Sequence, residues 1–139
     1  MKFKMSNSKV WLVGAGVMAL DYLPILKDLN SDVVVIGRGE ENCNKIREQF
    51  SCETIAGGLT NFLASNPELP SKVIVAVGIE ALKDTTMELL NYGITQILVE
   101  KPGVGYPSEI YEMSALAKEK GAEVLLAYNR RFYASVLKA

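Results

Sequence analysis

Six short apolar runs, separated by segments of helical character, constrain this chain more than any other feature. They are VWLV (10–13), DVVVI (32–36), CETI (52–55), KVIVAV (72–77), QILV (96–99) and EVLLAY (123–128). Most are continuously apolar rather than alternating, as strands covered on both faces should be. Between them, segments 17–29, 40–50, 60–64, 79–92 and 107–120 read as helices. The last is the clearest. Ile110, Met113, Leu116 and Ala117 fall on one face, Lys118 and Lys120 sit in the final turn, and Gly121 follows as a C-cap. Pro24 predicts a kink or an irregular turn in the first helix, because proline removes a backbone donor. Strands alternating with helices need right-handed crossovers and a parallel sheet. The expected fold class is therefore α/β, with a mostly parallel six-stranded sheet, doubly wound, and helices on both faces.

Composition narrows the classes of function. A chain of 139 residues, 49% hydrophobic and 22% charged, fits one domain with a real core. Lys plus Arg number 15 against 16 for Asp plus Glu, so no global field draws the chain to nucleic acid or anionic lipid. No apolar run approaches the roughly 20 residues of a membrane span. Cys43 and Cys52 fit no metal or redox spacing and read as reduced thiols of a cytoplasmic protein; no metal site is expected. The chain has no histidine, so acid–base chemistry must come from Lys, Tyr, Asp or Glu.

Val13-Gly14-Ala15-Gly16-Val17-Met18-Ala19 closes the first strand and opens the first helix. Each small residue has a mechanical use in dinucleotide binding. Gly14 permits the tight turn, Gly16 lets backbone approach a pyrophosphate, and Ala19 lets helix and strand pack closely. The helix N-terminus, at Val17 and Met18, offers free N–H groups to phosphate. Such a turn in repeated βαβ context makes the sheet a Rossmann-type one.

The end of the second strand addresses the choice of nicotinamide. An NAD site usually has an acid there, binding the ribose 2′-hydroxyl. Gly37 occupies that place and Arg38 follows. A glycine leaves room for a 2′-phosphate and a guanidinium can grip it, so NADP is expected in preference to NAD. Glu40 and Glu41 could instead fold back to a ribose hydroxyl, and Arg38 could be a solvated loop charge.

Ligands of open α/β sheets sit at the carboxyl ends of strands, where strand order reverses. Those ends carry Val77-Gly78, then Glu100-Lys101-Pro102-Gly103, then Tyr128-Asn129-Arg130-Arg131-Phe132. In order, G-A-G-V-M-A, E-K-P-G and Y-N-R-R-F resemble the glucose–fructose oxidoreductase and inositol dehydrogenase family (Gfo/Idh/MocA), across residues 9 to about 138. The resemblance implies an NAD(P)-dependent oxidoreductase acting on a sugar, polyol or related small molecule. It implies that Lys101 is catalytic, reaching the nicotinamide ribose and the substrate, with a pKa lowered enough to trade protons. It implies that Glu100 orients that lysine or the strand end, that a cis peptide precedes Pro102, and that Asn129 and Arg130 lie close to the cofactor.

The family's second, substrate-holding domain, often with an Asp and a His, has no counterpart within 1–139. The resemblance thus implies a cofactor-binding half that binds nucleotide with little or no turnover alone, and it allows a homo-oligomer. Two other readings stand beside it: a non-catalytic dinucleotide-sensing module, and, less well matched, a methyltransferase using S-adenosylmethionine.

Overall fold

The computed structural model describes residues 9–100 and 108–127. Its strands are β1 (Lys9–Val13), β2 (Asp32–Ile36), β3 (Glu53–Ile55), β4 (Lys72–Val75), β5 (Gln96–Glu100) and β6 (Glu123–Ala127). Its helices are α1 (Val17–Asp28), α2 (Glu40–Phe50), α3 (Leu59–Ala64), α4 (Leu82–Tyr92) and α5 (Glu109–Lys120). The strands form one sheet in the order β3-β2-β1-β4-β5-β6. Every pair is parallel, with Val13 opposite both Ile36 and Val75. Strand order therefore reverses between β1 and β4, the doubly wound arrangement expected from the sequence.

Strand side chains alternate between two cores, which is why the runs are apolar throughout. Trp11, Val13, Val34, Ile36, Val73, Val75, Ile97 and Val99 face one cluster with Leu59, Leu82, Leu89 and Leu90 of α3 and α4. Val10, Leu12, Val33, Val35 and Ile74 face the other, with Ala19, Leu23 and Leu26 of α1 and Ile46 of α2. Trp11 is buried and meets Phe62 edge to face, with ring centroids 4.9 Å apart. Such a pair adds about 0.5–1.5 kcal/mol beyond area burial. An ion pair between Lys83 and Glu112 joins α4 to α5.

Beyond shifts of a residue or two at element ends, the structure adds detail to the sequence expectation at several points. The segment 79–92 is not one helix: a 3₁₀ turn, Ile79–Ala81, precedes α4. β4 stops at Val75 because its partner β1 turns away at Gly14; one last bond joins the Ala76 N–H to the Val13 carbonyl at 2.8 Å. α1 runs through Pro24 to Asp28 without interruption. Pro24 and Leu20 both lie on the solvent side, where water can satisfy the carbonyl that proline leaves without its donor. β6 is not covered on both faces: it is an edge strand, and Leu125 is 54% exposed.

Candidate functional site

A pocket of about 630 Å³ opens at the carboxyl ends of β1, β2, β3 and β4, over the reversal point. Its floor is the glycine turn. Gly14 has φ +121°, and a Cβ there would lie 2.2 Å from the Ala76 carbonyl oxygen, so any side chain is excluded twice. The Gly14 N–H donates to the Ile36 carbonyl at 2.8 Å, locking the turn against β2. At Gly16 a Cβ would meet nothing within 4 Å. Glycine there serves open space above the backbone rather than internal packing. Ala19 is fully buried, as the close approach of α1 to the sheet requires.

The second wall comes from β2 and β3. Gly37 is buried, and a Cβ on it would lie 2.7 Å from the Ala15 Cβ and 2.8 Å from the Cys43 sulfur. Gly37 is thus demanded by packing as well as leaving room for a phosphate. Arg38 is exposed, its stem against the turn formed by Gly57 and Gly58, and no carboxylate among the described residues pairs with it. Neither Glu40 nor Glu41 lines the pocket; Glu41 pairs with Lys45 at 3.6 Å instead.

The pocket brings together Gly14, Ala15, Gly16, Gly37, Arg38, Val77 and Gly78 of the expected cofactor residues. A Cβ at Gly78 would meet the Glu80 carboxylate at 2.9 Å, so that flexible side chain covers the surface on which a ligand ring could lie. Three expected residues do not line this pocket. Val17 points to solvent, 77% exposed, leaving only its backbone for a phosphate. Met18 packs on the α1-side core. Glu100 is buried, 6% exposed, and accepts a hydrogen bond from the Tyr22 hydroxyl of α1. Lys101, Pro102, Asn129 and Arg130, with the peptide before Pro102, lie outside the described residues.

The structure also adds residues that sequence reading missed: Asn42, Gly57, Gly58, Leu59, Thr60, Ala81, Thr85 and Glu88. Only the Gly57-Gly58 pair carried a signal, a turn with φ +106° and +90°. Thr85 and Glu88 reach the pocket by helical spacing on α4, which no local motif marks. Among the described residues no group of three or more His, Cys, Asp or Glu could hold a metal ion, and no helix is long and apolar enough to cross a membrane.

Burial raises the Cys43 thiol above its ordinary pKa, although a hydrogen bond from the Gly37 backbone and the Arg47 guanidinium oppose this. Its sulfhydryl donates to the Ile55 carbonyl at 3.7 Å. Cys43 is a neutral packing group beneath the turn, not a nucleophile.

Residues 8–128 match the model of the oxidoreductase family GFO_IDH_MocA, NAD-binding Rossmann fold. The chain belongs to this family.

Solved structures carry the same fold. The dehydrogenase WlbA of Chromobacterium violaceum, solved with NADH and UDP-GlcNAcA, superposes with a TM-score of 0.82 at 17% identity, over 93% of this chain and 37% of that one. Biliverdin reductase of Synechocystis, solved with biliverdin and NADP+, gives 0.76 at 19% identity, over 90% and 39%. KijD10, a 3-ketoreductase of Actinomadura kijaniata solved with NADP and TDP-benzene, gives 0.75 at 20%, over 95% and 42%. At these identities the likeness establishes the fold alone, and the chain spans about two fifths of each relative. No curated protein matches the chain by sequence. As a Gfo/Idh/MocA nucleotide domain, the chain has a cradle that fits the group its family binds. Gly14 excludes side chains from the turn, and Gly16 leaves the approach to the α1 N-terminus clear.

Proposed function

We propose that this Gfo/Idh/MocA domain is the NADP(H)-binding part of a cytoplasmic oxidoreductase that moves hydride between the nicotinamide and a sugar, polyol or related small molecule. The observation that carries this reading is the position of Arg38. Arg38 lines the same pocket as the glycine turn, next to Gly37, and no described carboxylate neutralises it. An acid at position 37 would repel a 2′-phosphate; a planar cation with five donors can hold one bidentately.

When bound, the nicotinamide supplies or accepts the hydride. The chain's own part is to bind and orient. The α1 N-terminus faces the pyrophosphate, with Gly14 and Gly16 keeping side chains away from it. Val77 and Gly78 give a flat surface toward the nicotinamide half. Lys101, directly after β5, is the residue proposed to trade a proton with the substrate's hydroxyl or carbonyl oxygen. Asn129 and Arg130, after β6, are proposed to complete the cofactor's surroundings, together with Pro102. The sugar-nucleotide complex of WlbA supports the substrate class.

Fluorescence titration with NADPH and NADH tests the cofactor reading. NADPH should bind more tightly in the wild type, and Arg38→Ala should erase the difference. Equal affinities, unchanged in Arg38→Ala, would reject it. In a longer protein carrying this domain, hydride transfer that survives Lys101→Met would reject the role of the lysine.

A further inference from the structure

The pocket does not end at the glycine turn. It continues into the groove between α3 and α4, where Leu59 and Ala81 give apolar walls and Thr85 and Glu88 give polar ones. Glu88 is half-buried, and the ion pairs among the described residues engage Asp32, Glu41 and Glu112 rather than Glu88. A pocket built for an anionic ligand thus carries a carboxylate at one end.

Charge decides which part of a dinucleotide can lie there. A carboxylate repels phosphate, so the phosphates belong at the glycine turn and Arg38, away from Glu88. The described lining comes from the ends of β1, β2, β3 and β4 and from the adjoining helices, the side of the sheet on which the adenosine half lies. With the ribose beside Gly37 and Arg38, the component that extends away from the phosphates is the base. Apolar walls suit its faces, and an ionised carboxylate, acceptor only, suits its exocyclic amino group.

We infer that Glu88, with Thr85, reads the 6-amino group of adenine and sets base specificity. This rests on the NADP(H) reading above. The Glu88 carboxylate accepts a hydrogen bond from the amino group, and the Thr85 hydroxyl serves an adjacent ring nitrogen. A site built around a hydrogen bond rejects an analogue that cannot make it, because its acceptor is left facing another acceptor.

The test compares reduced NADP with its hypoxanthine analogue, in which a 6-oxo group replaces the 6-amino group. Nicotinamide fluorescence reports both ligands equally, in wild type and in the isosteric Glu88→Gln. The wild type should favour the adenine form by about tenfold or more, the loss expected for a mismatched hydrogen bond. In Glu88→Gln, whose amide can donate to a 6-oxo group, the preference should collapse to within about twofold. The same ratio in both proteins, or no preference in the wild type, overturns the inference while leaving the cofactor reading intact. A Glu88→Gln effect confined to the NADPH-to-NADH ratio also overturns it, by assigning the carboxylate to a ribose hydroxyl. If neither phosphorylated nor unphosphorylated dinucleotide binds, both readings fall together. If only NADH binds, the same comparison with its hypoxanthine analogue still decides the question.

Discussion

The hydroxyl of Tyr22 on α1 donates a hydrogen bond to the carboxylate of Glu100 at the end of β5, across 78 residues of sequence. Glu100 is the one buried acid among the described residues, whose other buried polar side chains are Thr54 and Thr86. The parity of β5 sends Ile97 and Val99 to the core under α4, and Leu98 and Glu100 to the face of α1. A desolvated carboxylate is costly unless it is hydrogen-bonded. The pair thus fixes the strand end from which the chain enters Lys101.

Tyr22→Phe should therefore destabilise the domain by about 1–3 kcal/mol, the cost of leaving a buried polar group without its partner. Urea unfolding followed by the fluorescence of Trp11, the only tryptophan, measures this directly. A midpoint equal to wild type would show that the bond contributes nothing.

The two glycines of the turn should separate folding from binding. Gly14→Ala places a Cβ 2.2 Å from a carbonyl oxygen at φ +121° and should cost about 2–4 kcal/mol. Gly16→Ala meets nothing within 4 Å and should leave the melting temperature nearly unchanged while weakening NADPH affinity. Thermal melts paired with fluorescence titrations distinguish the two outcomes.

At the end of β2, Arg38→Ala should cost about 1.5–3 kcal/mol of NADPH binding, roughly 10- to 150-fold, with NADH little changed. Gly37→Asp, the obvious exchange toward NAD, should unfold more easily than wild type before it changes specificity. Its Cβ would lie 2.7 Å from that of Ala15 and 2.8 Å from the Cys43 sulfur. Stability and affinity measured on both variants check the pair of expectations.

The Thr54 hydroxyl is buried with no hydrogen-bond partner. Thr54→Val keeps the shape and removes the orphan, so it should be neutral or stabilising by up to about 1 kcal/mol in urea unfolding. A loss of stability would reveal a partner for that hydroxyl.

The thiol pKa values of Cys43 and Cys52 are both raised above the ordinary cysteine value, chiefly by burial. Folding therefore keeps these protons on, and the unfolded chain releases them first as pH rises. Their contribution is fully present below the unfolded thiol pKa and is lost as pH climbs through the folded values. Urea midpoints measured from pH 7 upward should fall in the alkaline range, and less so in Cys43→Ala. Alkylation of Cys43 at pH 7 should be slower in the native than in the urea-unfolded protein.

By itself the sequence determined the alternation of strands and helices, the parallel sheet, and Gly14, Gly16, Gly37 and Arg38 as pocket residues. These are local properties: continuous apolar runs demand two covered faces, and a glycine turn before a helix has few other uses. Only the tertiary structure decided that Gly37 is wedged between Ala15 and Cys43, that Glu100 turns toward Tyr22 rather than into the pocket, and that Thr85 and Glu88 join it. Each depends on which helix packs over which strand, a relation set by burial across the sheet. A stretch of sequence records what a residue is; its partners are chosen by the way two cores close.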